Sequence, residues 1–127
     1  MASMLLTIIR ARASGRNNRY LVRPISLVLF LFIIVLRSYD FDQLFIGADG
    51  IDLARGSTTF NELVGLSQVM AEVSREVVVM VESQKIGRKM PNLELTWQQI
   101  DVLITDTGLS EQDKQAILAH GVEVICV

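Results

Sequence analysis

Three short polar groups in this chain have the make-up of a small-molecule site: Gly47-Ala-Asp-Gly-Ile-Asp52, Glu82-Ser-Gln-Lys85 and Thr105-Asp-Thr107. Asp49, Asp52 and Glu82 are acceptors for sugar hydroxyls, and Lys85 or Arg88 can meet a phosphate as a positive charge. A fourth group, Ser57-Thr-Thr59, leads into a stretch read below as a helix, and the free amides of a helix N-terminus favour an anion. Thr58, Thr59, Asn61 and Glu62 complete the candidate set on that side. Each residue also has a plain structural role open to it. Asp49 or Asp52 can close its own loop, Gly50 and Gly56 can serve turns, Thr59 and Glu62 can cap a helix, and Lys85, Arg88 and Lys89 can be a solvated loop. Taken singly, the structural role is the better reading for all of them. Their convergence on one edge of a sheet brings binding level with it.

Other chemistry has less to stand on. His120 is the single histidine and sits at a helix end, and Cys126 is the single cysteine. An internal disulfide and a cysteine-rich metal site are therefore excluded, and Cys126, in the apolar run 122–127, reads as a small buried hydrophobe. There is no Ser/His/Asp set, dinucleotide fingerprint or Walker loop. We expect no enzyme activity, no cofactor and no metal.

The elements that must position these groups alternate. Phe41-Asp-Gln-Leu-Phe-Ile46 is a short apolar strand closed by Gly47. Leu63, Leu66, Met70 and Val73 recur at helical spacing, with Thr59-Phe-Asn-Glu62 as the capping box that opens the helix. Glu76 to Val81 is a continuous apolar strand, the mark of burial on both faces in a parallel sheet. Glu82 to Asn92 reads as a loop. Ile100 to Ile104 is a third strand, Ser110-Glu-Gln-Asp113 caps a second helix that ends at His120-Gly121, and 122–127 is the last strand. Strands alternating with helices predict an α/β layer around a partial parallel sheet. In such sheets ligands sit beyond the carboxyl ends of the strands, where all three polar groups fall.

Residues 1–39 read differently. They hold six arginines and no acid, a charge of +6, whereas residues 40–127 carry 12 − 6 = 6 basic side chains against all 14 acids, or −8. The acidic part is a poor partner for nucleic acid, which needs clustered Lys and Arg. Arg10 to Arg23 followed by the apolar run 25–36 resembles the grammar of a signal peptide or anchor, but the run is shorter than the ~20 residues a spanning helix needs. No small-residue cleavage pattern follows it. The expected division is a leader over 1–39, unrelated to the fold and best explained by a shifted reading frame, and a folding unit over 40–127.

The unit from residue 40 resembles the C-terminal effector domain of the DeoR family of bacterial transcriptional repressors, which sense phosphorylated sugars. The matching stretches are 41–52, Gly56-Ser-Thr-Thr-Phe-Asn-Glu62, Glu82-Ser-Gln-Lys-Ile-Gly-Arg-Lys89, Ile100-Asp-Val-Leu-Ile-Thr-Asp106 and Gly121-Val-Glu-Val-Ile125. Gly-Arg-Lys-x-Pro-Asn at 87–92 is most similar to the glucitol (sorbitol) operon repressor branch. The resemblance implies half of a sensor fold like ribose-5-phosphate isomerase, with Asp49 and Asp52 facing the sugar and Thr58, Thr59, Asn61, Glu62 and Lys85 nearby. Glu82 and Gln84 depart from the family's usual aspartate and serine. The family's winged helix-turn-helix and the first half of its sensor have no counterpart in residues 1–39. The expectation is thus a truncated, cytoplasmic repressor of a sugar or sugar-alcohol operon, the product of a disrupted gene. Its partners would be a phosphorylated sugar or sugar alcohol and a second copy of itself, with DNA contacted only by the intact ancestor and no membrane association. The alternatives are a fragment that docks on intact repressor subunits, or a membrane-anchored sensor fragment.

Overall fold

The structure, a computed structural model, describes residues 3–5, 28, 31–62 and 64–127. Along the chain run β1 (Ser3–Leu5), a helical stretch α1 (residues 31–36), β2 (Phe41–Gly47), β3 (Gly50–Asp52), β4 (Gly56–Thr59), α2 (Gly65–Glu72), β5 (Ser74–Met80), β6 (Asn92–Thr96), β7 (Val102–Thr105), α3 (Glu111–Leu118) and β8 (Glu123–Cys126). A parallel sheet is ordered β1-β2-β5-β7-β8, and a second sheet, antiparallel, is ordered β3-β4-β6. The α/β layer expected from the sequence is therefore present, with a small second sheet added to it.

The central strands explain why the layer forms. Val77, Val78 and Val79 of β5 are all buried, as a strand covered on both faces requires. Leu44 and Ile46 of β2 alternate inward, and Leu103 of β7 lies beside Val79 in register. Leu66, Val69 and Met70 bring the apolar face of α2 onto this layer, and Ile117 does the same from α3. Two contributions to the layer come from before residue 40. Ser3–Leu5 pairs with Gln43–Phe45, and Leu36 is a member of the core cluster.

Several elements differ from the sequence reading. Residues 56–59 form β4 and do not open a helix. Their amides and carbonyls pair with β3 on one side and β6 on the other, so they carry no free helix-terminus amides for an anion. Helix α2 starts later, at Gly65, and its N-cap residue Val64 makes no side-chain cap bond. Leu63, placed on that helix face from the sequence, lies outside the described residues. The Glu82–Asn92 loop contains a 3-10 turn, Ser83–Lys85, and then runs into β6. Cys126 is exposed, as the last residue of the edge strand β8.

The second helix follows its signals closely. Ser110 Oγ accepts from the Asp113 amide at 3.2 Å, and Gly121 takes φ +81° just past the end of α3. His120 does more than sit at the negative end of a helix. Its ring stacks on Trp97 with centroids 5.2 Å apart, and its Nε2 lies 2.8 Å from the Leu53 carbonyl oxygen, to which Trp97 Nε1 also donates at 3.0 Å. These contacts tie the end of α3 to the loop between β3 and β4. Among the described residues no helix is long and apolar enough to cross a membrane.

Candidate functional site

The carboxyl ends of β2, β5 and β7 stand in register, with Gly47 beside Met80 and Met80 beside Ile104. Past them the chain opens into a crevice of about 410 Å³ lined by Gly47, Ala48, Asp49, Met80, Val81, Glu82, Lys85, Ile104, Thr105, Asp106 and Val127. This is the edge at which open α/β sheets take their ligands. Its lining is mixed: Met80, Val81, Ile104 and Val127 provide apolar surface, and three carboxylates and one ammonium provide the charge.

Asp49 is the first of the residues expected from the sequence to stand at this edge. Thr59 Oγ1 donates to its Oδ2 at 2.6 Å, and the same hydroxyl accepts from the Asn61 amide at 3.1 Å. The buried threonine at the end of β4 thus aims the carboxylate, and Asn61 holds the threonine. Lys85 is the second. Its 3-10 turn closes with the Lys85 amide on the Glu82 carbonyl at 3.0 Å, and the next residue, Ile86, bridges to Ile51 of β3. Among the described residues Lys85 has no ion pair.

The other residues expected from the sequence stand elsewhere. Asp52 is 3 % exposed and holds its own loop: it accepts from Arg55 Nε at 2.8 Å and from the Ala54 amide at 3.0 Å. The Arg55 hydrogen bond is the main reason its carboxyl sits below the ordinary 3.8, against the opposing effect of burial, with help from the Ala54 amide and the charge of Lys89. Thr58 is fully buried, and its Oγ1 accepts from the Met90 amide at 3.0 Å, which fastens the 82–92 loop to β4. That loop also passes so close to β3 that a Cβ on Gly50 would lie 2.3 Å from the Arg88 carbonyl oxygen. Glu62 is exposed and Asn61 half-buried, and neither lines the crevice.

Asp106 is the residue whose part the sequence left open. Its Oδ2 accepts from the Ser83 amide at 2.9 Å and its Oδ1 from the Gly108 amide at 2.8 Å. The Ser83 hydroxyl is the largest influence holding its carboxyl below 3.8, followed by these amides. Asp106 therefore brackets the start of the turn that carries Lys85. Glu82, exposed at the rim, accepts from Gln84 Nε2 at 2.5 Å. The Gln84 side-chain amide is therefore occupied with the Glu82 carboxylate. Thr105 closes the wall: it is 3 % exposed, and its Oγ1 is a buried side-chain oxygen with no hydrogen-bond partner among the described residues. Leaving such a group unsatisfied costs about 1–3 kcal/mol. The sequence signal for both residues was their position directly after an apolar strand.

The sequence that carries this crevice matches a known family. The model of the DeoR C-terminal sensor domain matches residues 26–107. The chain belongs to the DeoR sensor family. Among curated proteins this DeoR sensor is 39 % identical over 93 residues to a candidate aga operon transcriptional repressor of Escherichia coli O157:H7, covering 72 % of the chain and 35 % of that protein. It is 32 % identical over 87 residues to the HTH-type transcriptional regulator GlpR of Haloferax volcanii, covering 68 % and 34 %. It is also 30 % identical over 91 residues to the HTH-type regulator YgbI of Escherichia coli K12, covering 72 % and 36 %. The chain spans about a third of the length of these relatives.

Proposed function

We propose that this chain is the effector-sensing part of a repressor of a sugar or sugar-alcohol catabolic operon, and that the crevice at the end of β2, β5 and β7 takes a phosphorylated sugar or polyol. One observation carries the reading: in a member of the DeoR sensor family, Asp49 and Lys85, which has no ion pair among the described residues, line one crevice at the carboxyl edge of the parallel sheet. The apolar wall suits the carbon skeleton, the carboxylates suit its hydroxyls, and Lys85 suits the phosphate. Asp49 and Lys85 would touch the effector. Thr59, with Asn61 behind it, would position Asp49, while Asp52 and Thr58 would hold the loops that shape the site. Glu62 has no contact of this kind to support it.

The proposed role is to bind and not to transform: the effector's occupancy would relieve repression. Every residue lining the crevice lies within 40–127, the part we propose as the sensing unit of a repressor of the glucitol-like branch. Its excess of acids suits it poorly to contact DNA, so that contact would belong to other parts of an intact repressor.

The test is a melting experiment on the full chain with hexitol 6-phosphates, amino-sugar 6-phosphates and inorganic phosphate. A ligand at 100 times its Kd should stabilise the protein by about 2.7 kcal/mol. Lys85→Met should weaken binding of the phosphorylated ligand by about tenfold or more, the loss of one charge-assisted contact. A wild-type protein whose melting is unmoved by every sugar phosphate would sink the reading.

A further inference from the structure

Lys85, the ammonium that lines the crevice, sits on a turn that is held from outside. The 3-10 turn Ser83–Lys85 is three residues long, and its N-cap residue, Glu82, makes no side-chain cap bond. Its internal bonds run from the Lys85 amide to the Glu82 carbonyl at 3.0 Å and from the Ile86 amide to the Ser83 carbonyl at 3.1 Å. The first amide of so short a turn finds no partner within it. Here that amide, of Ser83, donates at 2.9 Å to Oδ2 of Asp106, in the loop that follows β7. Past the turn, the Gly87 amide donates to the Ile51 carbonyl of β3 at 2.9 Å. Lys85 thus stands between two fixed posts, two residues from each.

The Asp106 post is an unexpected group in this place. A carboxylate lining a crevice that takes a phosphate opposes the charge of its ligand. Its oxygens are instead taken up by the protein. Oδ2 holds the Ser83 amide, Oδ1 holds the Gly108 amide at 2.8 Å, and the Ser83 hydroxyl bonds to the same carboxylate. The packing is close: a Cβ on Gly108 would lie 2.6 Å from Ser83 Oγ and 2.9 Å from Asp106 Oδ1. Bonds from amides to an ionised acceptor are stronger than those between neutral groups. We propose that Asp106 is a positioning residue for the effector: it caps the Ser83 turn from the loop of the neighbouring strand and so fixes Lys85 to meet the phosphate, without itself contacting the ligand. The inference rests on the sugar-phosphate reading of the crevice.

Calorimetric titration with sorbitol 6-phosphate, galactitol 6-phosphate and galactosamine 6-phosphate tests it. The proteins are wild type, Asp106→Asn, Lys85→Met and the double variant, each at a temperature where its unfolding curve shows it folded. By charge alone, removing an acid from the crevice should tighten the binding of a phosphate. Positioning gives the opposite sign: Asp106→Asn should weaken the binding probe about fivefold or more, because the turn loses its charged cap. In the Lys85→Met background the same change should bring no further loss, since the side chain it positions is gone. Asp106→Asn binding as tightly as wild type, or more tightly, would overturn the inference while leaving the sugar-phosphate reading intact, even if the variant melted lower. So would an equal loss in both backgrounds, which would place Asp106 on the ligand and not behind Lys85. If wild type bound none of the three probes, the sugar-phosphate reading and the inference resting on it would fall together.

Discussion

Asp52 and Asp106 illustrate how similar side chains acquire different duties from their donors. Both carboxyls are held below the ordinary 3.8, Asp52 mainly by the Arg55 hydrogen bond and Asp106 mainly by the Ser83 hydroxyl. Because the folded-state values are lower than the unfolded ones, their stabilisation is present in full above the unfolded value and is lost as pH falls through the folded one. The urea midpoint of the wild-type protein should therefore hold steady at neutral pH and drop below about pH 4. Asp106→Asn should lower the midpoint at pH 7 and flatten that drop, since the bracket on the Ser83 turn would no longer depend on a charge. An unchanged acid profile in the variant would mean that the bracket contributes nothing to folding.

At the scale of elements, the helix caps and the Trp97 contact can be separated by their cost. Ser110→Ala removes a single cap bond at the start of α3 and should destabilise by about 1 kcal/mol in urea unfolding. Trp97→Ala removes a buried indole, its bond to Leu53 and its stack on His120, and should cost about 3–5 kcal/mol. Equal losses would show that the small sheet is not joined to the core through Trp97. The sequence showed the Ser110 cap because capping is local: donor and acceptor lie three residues apart. It did not show Trp97, whose partners Leu53 and His120 come from distant stretches of chain. The same difference explains Thr59. Its spacing to Glu62 fits a cap, but pairing of β4 with β6 places it in a strand and turns its hydroxyl to Asp49.

Across the whole molecule, the open question of association has a visible surface. Leu31, Phe32, Ile34 and Val35 are 54, 41, 52 and 51 % exposed, while Leu36 beside them is buried. Residues 31, 34 and 35 share a helix face, and exposed apolar surface of this kind favours contact with another protein surface. Edge strand β8 adds exposed Ile125, followed by exposed Val127. Sedimentation of the wild-type chain over a concentration series should show self-association, and Leu31→Glu with Ile34→Glu should reduce it. A monomer at every concentration would remove homo-oligomerisation from the expected partners.

The chain's periodicity by itself determined the alternation of strands and helices, the buried valines of β5, the cap of α3 and the sheet edge where polar groups gather. Those features depend on neighbours within a few residues or on the apolar pattern along one element. Tertiary structure decided the rest: the antiparallel sheet, the separation of Asp49 and Lys85 at the crevice from Asp52 and Thr58 in that small sheet, and the exposure of Cys126. It also buried Thr105 Oγ1 without a hydrogen-bond partner among the described residues. Whether a polar side chain finds a partner depends on which distant donors and acceptors folding brings to it, such as the Leu95 amide, 38 positions along the chain from the Ser57 hydroxyl that accepts from it. No local pattern records those meetings.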